Sequence, residues 1–310
     1  MAEAAPLLGV VVVSYGDPGL LERHVLQHDL SALPAVVVVV DNLSTARARR
    51  DAEELCRRRG LEFVPLPSNE GFGAGANAGA ARALELGCSV LLFLNPDAAL
   101  DAATAAALRD DVLAHPRRMV SPQVVHPDGR RWFSGAELSL RNGWTRRTGV
   151  LAGPELHPWL TGACLAVHRD LWRELGGFDG SYFLYWEDVD LSVRCVRLGG
   201  ELAVRQDLTV VHAVGGTQDG GGKSPLYGRY NCRNRLLFAR KNLSRRRRLR
   251  WLLVAPAYAG EVALRGGLRR LLGRRRVVAA VLSGTLAGAL VVLDPRNPGD
   301  RGWSTTARAR

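Results

Sequence analysis

The sequence has few cysteines and no cysteine pair. Cys56, Cys88, Cys164, Cys195 and Cys232 are scattered, odd in number and nowhere spaced as Cys-x-x-Cys. That excludes a disulfide framework or structural zinc site and fits a reducing compartment. No basic stretch or small-residue cleavage site accompanies the apolar start, MAEAAPLLGVVVVSYG, so it reads as a first buried strand and not a secretory signal. No internal repeat appears. Acids are scarce in one place: Lys241 to Arg276 holds twelve Lys or Arg against the single acid Glu261. Of the net charge of +12, only about +1 is left for the other 274 residues. A nucleic-acid enzyme spreads positive charge around its cleft. Basic residues confined to one segment and interleaved with apolar ones suit an anionic membrane surface instead, with no nucleic-acid partner.

What the sequence does have is the composition of a folded protein: 310 residues, 47% apolar and 23% charged, enough to bury a substantial core. Residues 9–115 alternate short β-branched runs with helical stretches. Strands are predicted at 9–14, 35–41, 61–66 and 89–95, and helices at 17–31, 45–60, 74–87 and 101–116. The third strand reads as an edge because of Pro65. Continuous apolar strands separated by helices imply an α/β fold with a parallel sheet covered on both faces, binding ligands beyond the strands' carboxyl ends. Further strands are expected at 119–125, 163–168, 201–205 and 209–212, with helices at 169–176 and 187–198. Gly215–Gly222 is a lid candidate.

Polar residues collect where the first four strands end: Ser14-Tyr15, Asp41-Asn42, Asn69-Glu70-Gly71-Phe72-Gly73 and Asn95-Pro96-Asp97. One such cluster is ordinary turn chemistry; four in phase suit one ligand crossing the sheet edge. The run from Asn69 through Asn77 to Gly79 superficially matches the glycine-rich dinucleotide fingerprint. It follows the third strand, however, and no acid closes a later strand about 20 residues on, which excludes a nicotinamide site. Gly71, Gly73 and Gly75 let the backbone approach a ligand or a neighbouring strand, and Gly79 is a packing contact or the same. Asp97 either binds a hard cation such as Mg2+ or Mn2+, which takes one or two carboxylates plus phosphate oxygens, or belongs to the helix cap led by Asp101. Glu187-Asp188-Val189-Asp190 opens a helix, where acids are favoured by the helix dipole. The aromatics before it, up to Trp186, could floor a sugar pocket, and a carboxylate here could take a proton from an acceptor hydroxyl. His212 ends an apolar strand.

From residue 226 the chain turns basic and apolar. Residues 251–264 and 277–293 are uncharged but for Glu261, and the latter contains Gly284-x-x-x-Gly288. At 17 residues diluted by Ala, Gly and Ser, it reads as an interfacial helix more readily than a span.

The ordered set VVVVSYGDPGLL, VVVVVDNLS, NEGFGAGANAG, LLFLNPD, LTGACLAVHRDLWRELGGFDGSYFLYWEDVDLSVR, VVH and YNCRNRLLFARKN resembles the family 2 glycosyltransferases, in particular their bacterial rhamnosyltransferase-like branch. The resemblance runs from residue 10 to about 242. It implies a GT-A fold, Rossmann-like, with a mostly parallel sheet flanked by helices, and inverting, metal-dependent transfer from a nucleotide-diphosphate sugar. It implies that Asp97, with His212, holds Mg2+ or Mn2+, and that Asp188, beside Glu187, is the base. Ser14, Tyr15, Asp41, Asn42, Asn69, Gly71, Phe72, Gly73, Asn77 and Asn95 would line the donor site, and Thr161, Gly162 and Trp186 would lie near sugar or acceptor. Asn95 replaces the first acid of the family's Asp-x-Asp triplet. The expected organisation is a catalytic domain over 1–225, with its nucleotide-sugar-binding half to about 115, and a membrane-associating helical tail over 226–310. The branch implies a polyprenyl-diphosphate-linked or other glycan acceptor, with dTDP-rhamnose as the first donor to consider. UDP-galactofuranose, UDP-glucose and GDP-mannose remain alternatives. The expected location is the cytoplasmic face of a bacterial membrane. The non-enzymatic alternative is a membrane-associated protein that binds a sugar nucleotide or glycan.

Overall fold

The computed structural model describes residues 7–150, 155–213, 224–264 and 275–294. The lid candidate at 215–222 lies outside these. The chain forms two compact units: Met1–Ala136 with Pro158–Asp219, and Glu137–His157 with Gly220–Arg310.

The first unit is built on a sheet whose early strands are the valine-rich runs. β1 (Leu8–Ser14), β2 (Ala35–Asp41), β3 (Glu62–Pro65) and β4 (Val90–Leu94) alternate with α1 (Gly19–Arg23), α2 (Ala46–Arg59) and α3 (Phe72–Glu85). Then come β5 (Ala98–Ala99), α4 (Ala102–Ala114), β6 (Arg118–Val125) and β7 (Arg131–Phe133). The chain returns with β11 (Cys164–His168), α5 (Arg169–Leu175), α6 (Glu187–Arg197) and β12 (Glu201–His212). The strand order is β3-β2-β1-β4-β11-β6-β12-β5, with β7 on β6. β1, β2, β3, β4, β6 and β12 run one way and β11 the other. The chain leaves β1 for β2 on one side and comes back to β4 on the other, which opens a crevice at the strands' carboxyl ends. Because β11 is reversed, its start lies at that same edge.

Every residue of β1 and β4 is buried, as expected of strands covered on both faces. α3 sits unusually close: a Cβ at Gly75 would lie 2.9 Å from Val13, and one at Gly79 2.4 Å from Val11. Those two glycines are therefore strand-packing positions. α2 starts on a cap in which Thr45 Oγ1 accepts from Ala48 N, and α4 starts on Asp101, which accepts from Thr104 N at 2.7 Å. The cap is thus Asp101, which leaves Asp97 free of that duty. Two expectations change. The helix over 17–31 shortens to α1 and a 3-10 turn, Val25–Gln27, because His24 leaves helical geometry (φ −126°, ψ −61°) and Asp29 turns the chain by accepting from Ser31 N. The strands at 201–205 and 209–212 join as β12, with a register shift between Arg205 and Thr209.

The second unit contains β9 (Thr145–Arg147), α7 (Pro225–Asn242), α8 (Arg245–Leu253), α9 (Ala255–Leu264) and α10 (Arg275–Leu293); β8 (Ala136–Ser139) and β10 (Leu156–Trp159) flank β9 in sequence. Gly284 and Gly288 face α7: a Cβ on Gly284 would lie 2.1 Å from the Arg229 carbonyl oxygen, and one on Gly288 2.9 Å from Leu236. The Gly-x-x-x-Gly pair therefore serves close packing within the unit. Arg235 of α7 is buried, its guanidinium 4.6 Å from the Tyr258 ring centre and 4.9 Å from that of Trp251. It donates to the carbonyls of Asn142 and Trp251, which fastens the 137–157 segment to the helices. α10 buries Val277, Val281 and Val292 and exposes Leu282, Leu286, Leu290 and Leu293. At 19 residues it is long and apolar enough to cross a membrane.

Candidate active site

At the carboxyl ends of β1 and β2, Ser14 and Asp41 are register partners and both are buried. The Asp41 carboxylate accepts from Arg49 Nε, and Arg49 also donates to the Leu66 carbonyl. This pair holds the charge of Asp41 at a fixed place beside β3. Tyr15 is 47% exposed. Asn42 is buried: Oδ1 accepts from Glu70 N at 2.9 Å and Nδ2 donates to the Gly71 carbonyl at 3.2 Å. Asn69 shapes the same turn, Oδ1 accepting from Gly71 N at 3.0 Å.

Beyond β4, Asp97 meets His212 from the end of β12. His212 Nε2 lies 2.8 Å from Asp97 Oδ1 and 3.3 Å from Asn95 Nδ2, and both Asp97 and His212 are buried. One ring nitrogen cannot donate to Asp97 and accept from Asn95 together, so only one of these two contacts is a hydrogen bond. His212 Nδ1 has no hydrogen-bond partner among the described residues.

The turn Thr161–Gly162–Ala163 links this strand end to the acids of α6. Asn95 N donates to the Ala163 carbonyl at 2.9 Å, while Gly162 N donates to Asp188 Oδ2 at 3.2 Å. Thr161 Oγ1 accepts from Ala163 N at 3.2 Å and stiffens the turn. Asp97, His212, Asp188 and Glu187 therefore gather at one edge of one sheet, from strands and a helix far apart in sequence. The two acids differ in surroundings. Asp188 is partly exposed and accepts from Gly162 N and Val189 N; Glu187 is buried, with Oε2 lacking a partner among the described residues. Burial raises the Asp188 carboxyl to about 6, against the backbone amides of Gly162, Val189 and Asp188 itself, which favour its charge. Burial, and then the charge of Asp188, push Glu187 well above the usual carboxylate range.

With this geometry in hand, comparison places the chain. The sequence profile of glycosyl transferase family 2 matches residues 10–176. The chain belongs to that family. It is 28% identical over 304 residues, covering 89% of this chain and 98% of the relative, to an N-acetylglucosaminyl-diphospho-decaprenol L-rhamnosyltransferase of Mycobacterium tuberculosis. It is 23% identical over 245 residues, covering 75% of this chain and 79% of the other, to the dTDP-rhamnosyl transferase RfbF of Shigella flexneri. Among solved structures, a mannosyltransferase of Pyrobaculum calidifontis in complex with GDP-Man and Mn2+ aligns with TM-score 0.50 at 17% identity, over 94% of this chain and 88% of that one. GalNAc-T7, with UDP, GalNAc and Mn2+, aligns with TM-score 0.54 at 19% identity over 68% of this chain, which spans 44% of that longer protein. These likenesses establish the GT-A fold.

In this glycosyltransferase the glycine-rich segment packs under α6. A Cβ on Gly73 would lie 3.0 Å from Phe178 and 3.7 Å from Glu187, and one on Gly162 3.2 Å from the Phe72 ring. Asn77 is used as a brace, donating to the Phe178 carbonyl (2.8 Å) and accepting from Phe178 N (2.9 Å). Trp186 is buried and has φ 77°. Three contributors were not anticipated from sequence. Arg49 fixes Asp41. Arg194 pairs with buried Asp190 at 2.7 Å, a partnership that their i,i+4 spacing could have revealed. Trp132, partly exposed, packs edge-to-face on His212 at 4.9 Å between ring centres, and nothing in the sequence announces it.

Proposed function

We propose that this glycosyltransferase moves a sugar, rhamnose from dTDP-rhamnose in the first instance, to a hydroxyl of a polyprenyl-diphosphate-linked glycan with inversion. The observation that carries the reading is the turn at 161–163, whose consecutive residues Gly162 and Ala163 bind Asp188 and Asn95 and so put the cation-type residues and a partly exposed carboxylate at one sheet edge. The donor fits the matching relatives, whose names specify rhamnosyl transfer, in one case to a decaprenyl-diphosphate sugar.

The residues fit a divalent cation. A carboxylate oxygen and an imidazole nitrogen lie within 2.8 Å of each other, two donors of the kind that Mg2+ or Mn2+ accepts alongside phosphate oxygens. Asp97 and His212 would hold it, Mg2+ or Mn2+. Once bound, such an ion supplies Lewis-acid stabilisation of the departing diphosphate. Asp41, anchored by Arg49, offers its remaining acceptor capacity to the ribose or base, with Ser14 and Tyr15 alongside. Asp188 takes the acceptor proton as the hydroxyl oxygen bonds to the anomeric carbon. The bond to the diphosphate breaks on the opposite face, and its electron pair leaves with the diphosphate. Burial, and then the charge of Asp188, disfavour ionisation of Glu187, which limits a second negative charge beside the base.

A lipid-linked acceptor stays in the bilayer, so the enzyme must reach it there. The leucine row of α10 and the arginines of α8 suit peripheral docking on the cytoplasmic face of an anionic membrane. The decisive screen offers dTDP-, UDP- and GDP-sugars, with and without Mg2+ or Mn2+, to the purified chain. Transfer or hydrolysis of dTDP-rhamnose ahead of the others supports the reading; turnover of none removes it.

A further inference from the structure

The nucleotide end of the sheet is mechanically joined to the acid pair. Phe72 N donates to the Phe183 carbonyl at 3.0 Å, and a Cβ on Gly71 would lie 2.1 Å from that same oxygen. Gly71 has φ +85°, so both conformation and space reserve the position for glycine. From the other side, Asn42 grips the turn with both ends of its amide, through Glu70 N and the Gly71 carbonyl. Asn42 is itself tied to β1, its N–H donating to the Ser14 carbonyl at 2.9 Å.

Downstream of Phe183, Tyr185 and Trp186 hold φ of 66° and 77°. Bulky residues keep that left-handed conformation only where the surroundings over-determine it, and such sites cluster at functional centres. Glu187 and Asp188 follow immediately. The segment before them is pinned: Arg194 donates to the carbonyls of Leu175 (2.6 Å) and Gly177 (2.8 Å), and Asn77 clamps Phe178. A shift of the 69–72 turn therefore passes through Phe183 into the strained pair and on to the acids.

We infer that Asn42 is a positioning residue: through the 69–72 turn and the Phe183 carbonyl it couples occupancy of the nucleotide site to the aim of Glu187 and Asp188. The inference rests on the transferase reading above. A misplacement of about 1 Å at reacting groups costs on the order of 10²-fold in rate, so the relay need move little.

The test compares wild type, Asn42→Ala and Gly71→Ala, with Gly87→Ala as control. Gly87 has φ +86° but open space around the missing Cβ, so it reports the backbone penalty alone. Three readouts are taken: dTDP affinity by calorimetry with Mn2+, kcat with the sugar nucleotide that wild type turns over, and hydrogen exchange across 182–188 with and without dTDP. Expected are protection of 182–188 on adding dTDP to wild type and to Gly87→Ala, and loss of that protection in Asn42→Ala and Gly71→Ala. Their kcat falls roughly 10- to 10²-fold while dTDP affinity holds. Affinity lost with kcat retained would make Asn42 a simple pocket wall and overturn the inference. So would wild-type exchange that ignores dTDP, a result that needs no variant to fold. Wild type that turns over no sugar nucleotide at all removes the transferase reading, and the inference with it.

Discussion

Two neighbouring carboxyl groups at the start of α6 have different surroundings. Asp188 keeps partial exposure and two amide donors, whereas Glu187 is buried with one oxygen unpartnered among the described residues. A base works only when ionised, and burial lifts Asp188 to about 6. Turnover should therefore fall as pH drops through about 6 and level off above it, in a kcat profile that Asp188→Asn abolishes. Asp188→Asn should lower kcat by about 10² to 10⁴ and leave nucleotide affinity intact. Glu187→Gln, which keeps the size of a side chain whose ionisation burial disfavours, should cost far less; equal losses in the two variants would contradict the assignment. Three acids in four residues after a run of aromatics made this pair visible in the sequence. The difference in surroundings between the two acids was not visible, because Gly162, which supplies an amide to Asp188, lies 26 residues away. Asn42 and Asn77 show the same limit. Their amides bind main chain 29 and 101 residues on, partners that local spacing does not encode.

At the scale of elements, the valine runs and their intervening helices were legible because buried parallel strands must be apolar on both faces. The third strand does lie at the sheet edge, as Pro65 suggested. The extent of α1 was not legible, since His24 and Asp29 break it by geometry and turn bonding without any Gly or Pro signal. The packing reading of Gly75 and Gly79 holds, and the strands beneath α3 decide it. Gly79→Ala should lower stability by about 1–3 kcal/mol through overpacking against Val11 and Val40, seen as a reduced denaturation midpoint. An unchanged midpoint would mean that the helix stands off the sheet. Arg194→Leu should cost about 3–5 kcal/mol, because it removes the cation from the buried carboxylate of Asp190. Restoration by a second change, Asp190→Leu, would confirm the pair as the cause.

For the whole molecule, charge and apolar patterning announced the basic C-terminal helices but not their company. Residues 137–157 group with 220–310 through contacts such as Arg235 to Asn142 and Trp144 to Glu261, which no local pattern encodes. Leu282, Leu286 and Leu290 recur every four residues on one face of α10, each about three-fifths exposed. Each leucine buried in lipid is worth about 1.5–3 kcal/mol, so replacing all three by serine should sharply reduce co-sedimentation with vesicles containing anionic phospholipid. Undiminished binding would move the docking surface elsewhere. The central claim is that one sheet edge holds the diphosphate between Asp97 with His212 and the base Asp188. A crystal structure of the chain with dTDP and Mn2+ tests it most directly. The account predicts the ion on Asp97 and His212, with the terminal phosphate facing Asp188. Nucleotide bound away from that edge, or an ion held without Asp97, would contradict it.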